Sequence, residues 1–215
     1  MKRSEKQFTD GRDVPNHRCT IAMLGFLKTD LACYDCRLSA AEWAAVAEKA
    51  ASVHFPARSV IYDHKLVGDR WLLLCSGVAA SRQTHESGRW SIARFFEAGQ
   101  FCGNLTSTWE QTPAADDLLA ISEVVGIEFP HGMFKAEYLE GGAFGRYLRQ
   151  KVVETLCFDK DIVTTKTFSD SEMRYQFLNE RYGQVVSTAL HIDLAAFMGM
   201  TPQGFSRFLR NRAKS

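Results

Sequence analysis

Apolar positions are spaced in two different ways along this chain, and the change between them divides it. From Val53 to Pro130 they fall in short β-branched and aromatic runs, "SVIYDH", "RWLLLCSGVAASRQTH", "RWSIARFF" and "LLAISEVVGIEF", each cut by turn residues. Runs of this kind predict antiparallel strands. Gly88, in "HESGRW", stands where a hairpin should reverse, and Gly68, Gly77, Gly99 and Gly103 punctuate other connections, where glycine tolerates a positive φ angle. After Pro130 the spacing lengthens. Phe144, Leu148, Val152, Thr155 and Ile162 recur at helical intervals, which predicts one long amphipathic helix entered near Ala143, because Gly141 and Gly142 disfavour helix before it. That seam wants a partner: packing on the chain's own β-domain is the plain reading, and self-association through Phe144, Leu148, Val152, Thr155 and Ile162 is the sharper one.

Shorter helical patterns flank these regions. Ser39 and Glu42 are spaced as a capping box ahead of Trp43, Val46 and Ala47, so a helix is expected there. Met173, Phe177 and Leu178 mark another between Ser169 and Glu180, and two more follow from Val185 to the end. Residues 1–30 mix charge, Asp-Gly and Val-Pro turn signals and one short apolar patch; they read as an extension with little regular structure. The expected layout is extension 1–30, β-domain 31–135, long helix 136–166 and a C-terminal helical module 167–215.

Composition narrows the function classes. A hydrophobic fraction of 46% over 215 residues supports folded cores. The patch Ile21 to Leu27 is far too short for a membrane span, so no membrane partner is expected and the cytoplasm is the default address. The 26 Lys and Arg against 25 Asp and Glu create no global field for a polyanion; nucleic-acid contact would need local clustering. The end of the chain clusters: after Met200 come Arg207, Arg210, Arg212 and Lys214, and no acid.

Spacing says what that cluster is for. In "IDLAAFMGMTPQGFSRFLRNRAKS" Ala195 precedes Gly199 by four positions, Thr201 and Pro202 supply an N-cap and a first-turn proline, and Phe205, Phe208 and Leu209 fall where a second helix turns inward toward Leu190, Leu194 and Phe197. This is a helix-turn-helix pattern. It leaves Gln203, Ser206, Arg207 and Arg210 on the outer face as candidate base readers, with Arg212 and Lys214 as phosphate contacts. Gly204, in the first turn, weakens that helix by about 1 kcal/mol against alanine.

On these residues the chain resembles the Crp/Fnr family of bacterial transcription regulators over about residues 31 to 215. "LAAFMGMTPQGFSRFLRNR" is similar to the family's helix-turn-helix signature, with Ser206 and Arg207 at its Ser-Arg pair and Gln203 at its usual Glu; "FFEAGQFCGNL" and "GDRWLLLCSGVA" are similar to its β-roll motifs. The resemblance implies an α+β fold: an antiparallel β-roll of the cyclic-nucleotide-binding type, a long dimerisation helix and a small C-terminal helix-turn-helix domain. It implies a homodimer that binds double-stranded DNA, with RNA polymerase as a further partner and control by a signal acting on the β-roll. Two departures matter. Asn104 stands where cyclic-nucleotide sensors carry the ribose-binding Glu, and Ala114 follows Pro113 where they carry the phosphate-binding Arg, with Asp116 and Asp117 close by. A phosphodiester there would lack a cationic partner, which argues against cyclic AMP. The β-hairpin wing of many relatives is also missing, so weaker DNA binding is expected.

Six cysteines remain. Cys33 and Cys36 form a CxxC ahead of the first predicted helix, and with Cys19 and Cys102 they could hold an iron–sulfur cluster or zinc; Cys75 competes with Cys102 for the β-roll ligand. A thiol switch, or cysteines that are only small buried hydrophobes, are the other readings. His54, His64, His85, His131 and His191 show no metal-ligand spacing, and a haem ligand among them stays open. No catalytic constellation is evident, so no enzyme is expected. The rival reading is a signal-binding or protein-interaction module that has kept the fold and lost specific DNA binding.

Overall fold

The computed structural model describes residues 9–10, 17–18 and 21–214. Its strands are β1 (Thr9–Asp10), β2 (His17–Arg18), β3 (Ala51–Phe55), β4 (Ser59–Tyr62), β5 (Arg70–Ser76), β6 (Ala79–Thr84), β7 (Trp90–Phe96), β8 (Phe101–Cys102), β9 (Asp117–Ala120) and β10 (Val124–Pro130). Two five-stranded sheets result, ordered β1-β4-β9-β6-β7 and β2-β3-β10-β5-β8. Every pairing is antiparallel except that of β1 with β4. The expected antiparallel β-roll is therefore present, and Gly88 (φ +76°) turns the β6–β7 hairpin as its sequence demands.

Helices flank the roll: α1 (Ile21–Cys33), α2 (Ala40–Lys49), α3 (Leu105–Glu110), α4 (His131–Glu140), α5 (Ala143–Phe168), α6 (Ser171–Arg181), α7 (Gly183–Thr188), α8 (His191–Phe197) and α9 (Pro202–Arg212). The expected long helix is α5, and its start at Ala143 follows Gly141 and Gly142 as the sequence requires. Residue 136 falls inside the separate helix α4. The capping box on α2 forms: Ser39 Oγ accepts from Glu42 N at 3.3 Å, and Ser39 N donates to Glu42 Oε2 at 2.8 Å. Glu42 Oε1 also accepts from Ala143 N at 3.0 Å. One carboxylate thus serves the orphan amides of two helix starts, and its bonds to Ser39 and Ala143 hold its pKa below the ordinary value.

One expectation fails at the N-terminus. Residues 21–30, expected as extension, belong to α1, which buries Leu27 and Leu31 in a core with Trp71, Phe129 and Tyr147. Its apolar residues are spread around the helix rather than gathered in a stripe, so periodicity does not announce it; the tertiary contact makes it. Asp30 of α1 accepts from Tyr147 Oη at 2.5 Å and pairs with Lys151 at 2.9 Å, tying α1 to α5.

Strand β5 separates two cores. Leu72 and Leu74 point between the sheets with Val53, Phe55 and Leu118, while Trp71 and Leu73 face α1, α4 and α5. A strand buried on both faces needs an unbroken apolar run, which "WLLLC" supplies. A third core joins the other sheet (Ala80, Ile92, Phe95) to the C-terminal helices (Leu178, Leu194, Phe197, Phe205).

The seam expected for self-association is largely occupied. Phe144, Leu148 and Ile162 are buried within the chain, and Val152 and Thr155 are half-buried against the β-roll. Helical spacing shows that a face is covered, not what covers it; here Phe144, Leu148 and Ile162 are covered by the chain itself. The large apolar side chains that α5 leaves exposed are Val153 (58%), Leu156 (52%), Val163 (63%) and, at its C-terminal end, Phe168 (81%).

Candidate functional site

The C-terminal pair α8 and α9 forms through the local chemistry its sequence carries. Met200 N donates to Ala195 O at 2.9 Å across a turn whose Gly199 sits at φ +71°, a conformation that costs little only without a Cβ. Thr201 Oγ1 then accepts from Gly204 N at 3.0 Å, and Pro202 opens α9. Ala195 and Phe205 are wholly buried, and Phe205 lies against the rings of Tyr175, His191 and Phe208. Leu194 and Phe197 are buried and Phe208 and Leu209 half-buried. Leu190 departs from expectation at 49% exposed: it is the extended N-cap of α8, and its side chain leaves the core.

The six candidate DNA-contacting residues do not stand alike. Gln203, Arg207, Arg210 and Lys214 are exposed on the outer side. Ser206 is half-buried, and its hydroxyl donates back to Pro202 O at 2.9 Å, so its donor is committed to its own helix. Arg212 folds back onto α6: its Nε pairs with Glu172 at 2.8 Å, and its guanidinium lies 4.9 Å from the Tyr175 ring centre. The outward positive charge is therefore carried by Arg207, Arg210 and Lys214.

Two of the cavities among the described residues lie against the sheets of the β-roll. The first, about 310 Å³, sits between the roll and α5, walled by Ser81, Ala93 and Arg94 on one side and Thr155, Asp159 and Ile162 on the other. The second, about 420 Å³, lies within the roll beside Tyr62, Arg70, Ser107 and Glu128. Asn104, Asp116 and Leu118 belong to both walls. Asn104 is spent as the N-cap of α3, a helix missing from the sequence reading; its Oδ1 accepts from Ser107 N at 2.9 Å. Ala114 lines the second cavity with no charge.

The buried charges around the cavities are mostly matched. Arg94 pairs with Asp159 at 2.6 Å and lies over the rings of Phe96 and Phe158. Burial pushes the Asp117 carboxyl up, but Arg82 at 2.7 Å and bonds from His64 outweigh it, holding the pKa below the ordinary value. Glu128 is raised by burial, which Tyr62 Oη at 2.9 Å and Arg70 at 3.7 Å only partly offset.

The cysteine quartet does not assemble as expected. Cys19 lies outside the described residues. Cys33 is exposed at the end of α1, and Cys36 is buried in the core beneath it. Cys102 pairs in register with Leu72 and joins the core between the sheets, on the far face of the sheet from Cys36. It does not fit a shared iron–sulfur or zinc site with Cys33 and Cys36, because a layer of backbone and side chains intervenes. Cys75 packs on the same core as Cys36. Alternation of side chains across β5 and β8 is the signal that separates the two. Among the described residues one trio of ligating groups converges, Asp63, His64 and Asp117, and Arg82 already occupies Asp117 there. Among the described residues no helix is long and apolar enough to cross a membrane.

No family model matches the chain, and no curated protein does. Solved structures do. FixK2 from Bradyrhizobium japonicum superposes with a TM-score of 0.64 at 16% identity, over 77% of this chain and 85% of that one. A chain assigned to the crp/fnr family from Eubacterium rectale gives 0.64 at 14%, over 81% and 83%. CLP, the c-di-GMP responsive global regulator of Xanthomonas campestris, gives 0.61 at 13%, over 89% and 92%. At such identities the likeness is one of fold: this chain has the β-roll, long helix and helix-turn-helix architecture of Crp/Fnr-type regulators.

Proposed function

We propose that the chain is a sequence-specific DNA-binding transcriptional regulator, acting as a homodimer and controlled through its β-roll by a signal that is not a cyclic nucleotide. The observation that carries this reading is the α8–turn–α9 unit, whose Phe205 is buried while Gln203, Arg207 and Arg210 stand exposed on one side of the second helix. A helix so presented fits the major groove, where arginine can offer two donors to guanine and glutamine a donor and acceptor to adenine. Val153, Leu156 and Val163, spaced by three and seven residues on α5, give a second copy a seam of coiled-coil period. A dimer paired there would have to present its two reading helices to major grooves about 34 Å apart, one turn of duplex. The cavity between the roll and α5 touches Ile162, whose side chain also belongs to the core shared with the C-terminal helices; occupancy there would bear on both elements.

Fluorescence-anisotropy titration on duplexes selected from a random pool tests the reading, with the salt dependence recorded. Arg207→Ala should cost specific binding about 1–3 kcal/mol, roughly five- to 150-fold, and non-specific binding far less. Equal loss on both kinds of DNA removes Arg207 as a base reader. No binding to any duplex, with no salt slope, leaves the rival reading of a signal-binding module that has lost DNA recognition.

A further inference from the structure

The two cavities meet at Asp116, and the charges around them are unevenly satisfied. Arg94 is taken by Asp159, Lys151 by Asp30 and the Gly99 carbonyl, Asp117 by Arg82, and Glu128 by Tyr62 and Arg70. Asp116 alone among the charged residues walling the first cavity has no ionic partner there: its Oδ2 accepts from Ser81 Oγ at 2.5 Å, and its Oδ1 is buried with no hydrogen bond. Buried carboxylate oxygens are normally matched by donors. On the shared wall Asn104 spends only its Oδ1, on capping α3, and no donor from Asn104 or the apolar Leu118 reaches Asp116 Oδ1. The first cavity also has apolar wall, to which Phe96, Phe101, Phe134 and Val152 contribute.

We propose that this site binds an organic cation: a primary ammonium or guanidinium head donating to Asp116, with an aryl or alkyl body lying between the roll and α5. An anionic head would meet this carboxylate, while the cations of the same wall already hold carboxylates, Arg94 pairing with Asp159 through Nη1, with only its buried Nε left over, and Lys151 with Asp30. An ammonium supplies the donors that Asp116 lacks, and aromatic walls tolerate a cation at their faces. A body in this cavity would touch Thr155 and Ile162, so occupancy would be felt by α5 directly. The inference rests on the reading of the roll as a signal receiver and names the chemistry of the signal.

The test uses the full chain without DNA. Thermal unfolding and calorimetric titration are followed with 2-phenylethylamine, tyramine and phenylguanidine, against 3-phenylpropionate and cyclic AMP as anionic probes. The cations should raise the unfolding temperature with concentration, in the millimolar range expected of fragment-sized ligands, and the anions should leave it unchanged. Asp116→Asn should weaken the cations about tenfold or more through loss of the charge-assisted bond. Should that variant fold poorly, Ala114→Arg provides a second reading, because a guanidinium on the wall of the adjoining cavity can take Asp116 and should abolish the response. Equal response to cations and anions, no response to any of the three cations, or an unchanged response in a folded variant overturns the proposal. Amine binding without DNA binding refutes only the regulator reading, and DNA binding without amine binding refutes only this one.

Discussion

Lys166 shows how one side chain can register the state of three elements. It lies near the end of α5, donates from Nζ to the Ile92 and Ala93 carbonyls of β7 at 2.7 and 2.9 Å, and sits 4.2 Å from the ring centre of Phe197 in α8. Burial, with a smaller push from Arg174, lowers its pKa from 10.5 to about 8. The sign of the consequence follows from proton counting. Between about 8 and 10.5 the unfolded chain binds a proton that the folded chain has released, so this group makes stability rise with pH across that window. Below about 8 both states are charged, and its contribution is a constant penalty. Denaturant titrations on either side of the window should show this gain in the native chain, and Lys166→Met should remove it. An identical pH dependence in the variant would mean that the amine titrates as a solvated lysine.

At the scale of elements, α5 carries one set of buried and one set of exposed apolar residues, and substitution separates them. Leu148→Ala removes a wholly buried side chain from the core beside Tyr147 and Phe134 and should cost about 2–5 kcal/mol of stability, with no change in association. Leu156→Glu alters a residue that is half exposed in one chain; it should leave the fold intact and shift sedimentation from dimer to monomer. A native chain that sediments as a monomer, or a variant that stays dimeric, removes the Val153–Leu156–Val163 seam. The contrast also shows what the sequence made legible. Alternation and glycine placement reveal the roll because a strand pair exposes its period locally, and the Thr201–Pro202 start of α9 is readable because caps are local chemistry. The helix α1 was hidden because "IAMLGFLKTDLAC" is apolar on several sides. The buried seam of α5 was visible as a seam, but its partner was not, since Phe144 and Leu148 would repeat at the same spacing against a sheet or a second helix. Within the candidate site, Gln203, Arg207 and Arg210 follow from helical phase alone. The recruitment of Arg212 by Glu172, forty residues away, does not, and neither does the opposite facing of Cys36 and Cys102.

Across the whole molecule the C-terminal module is packed onto the roll. Phe95 of β7 lies 5.4 Å from Phe197 of α8 and 5.7 Å from Tyr182, centre to centre. Arg58, in the β3–β4 turn at φ 66°, reaches Asp193 of α8 at 2.7 Å, where Asp193 is 1% exposed. Glu97 Oε1 accepts from the Gln184 and Val185 amides that begin α7. This docking leaves the outer side of α9 uncovered, so it fixes the orientation of that helix without hiding its exposed face. A module held by one continuous core should open with the sheet it rests on rather than alone. Phe197→Ala, which empties the centre of that core, should cost about 3–5 kcal/mol and raise amide hydrogen exchange in β6 and β7 as well as in α8 and α9. Faster exchange confined to α8 and α9 would mean that the module frays independently and that the roll does not steer it.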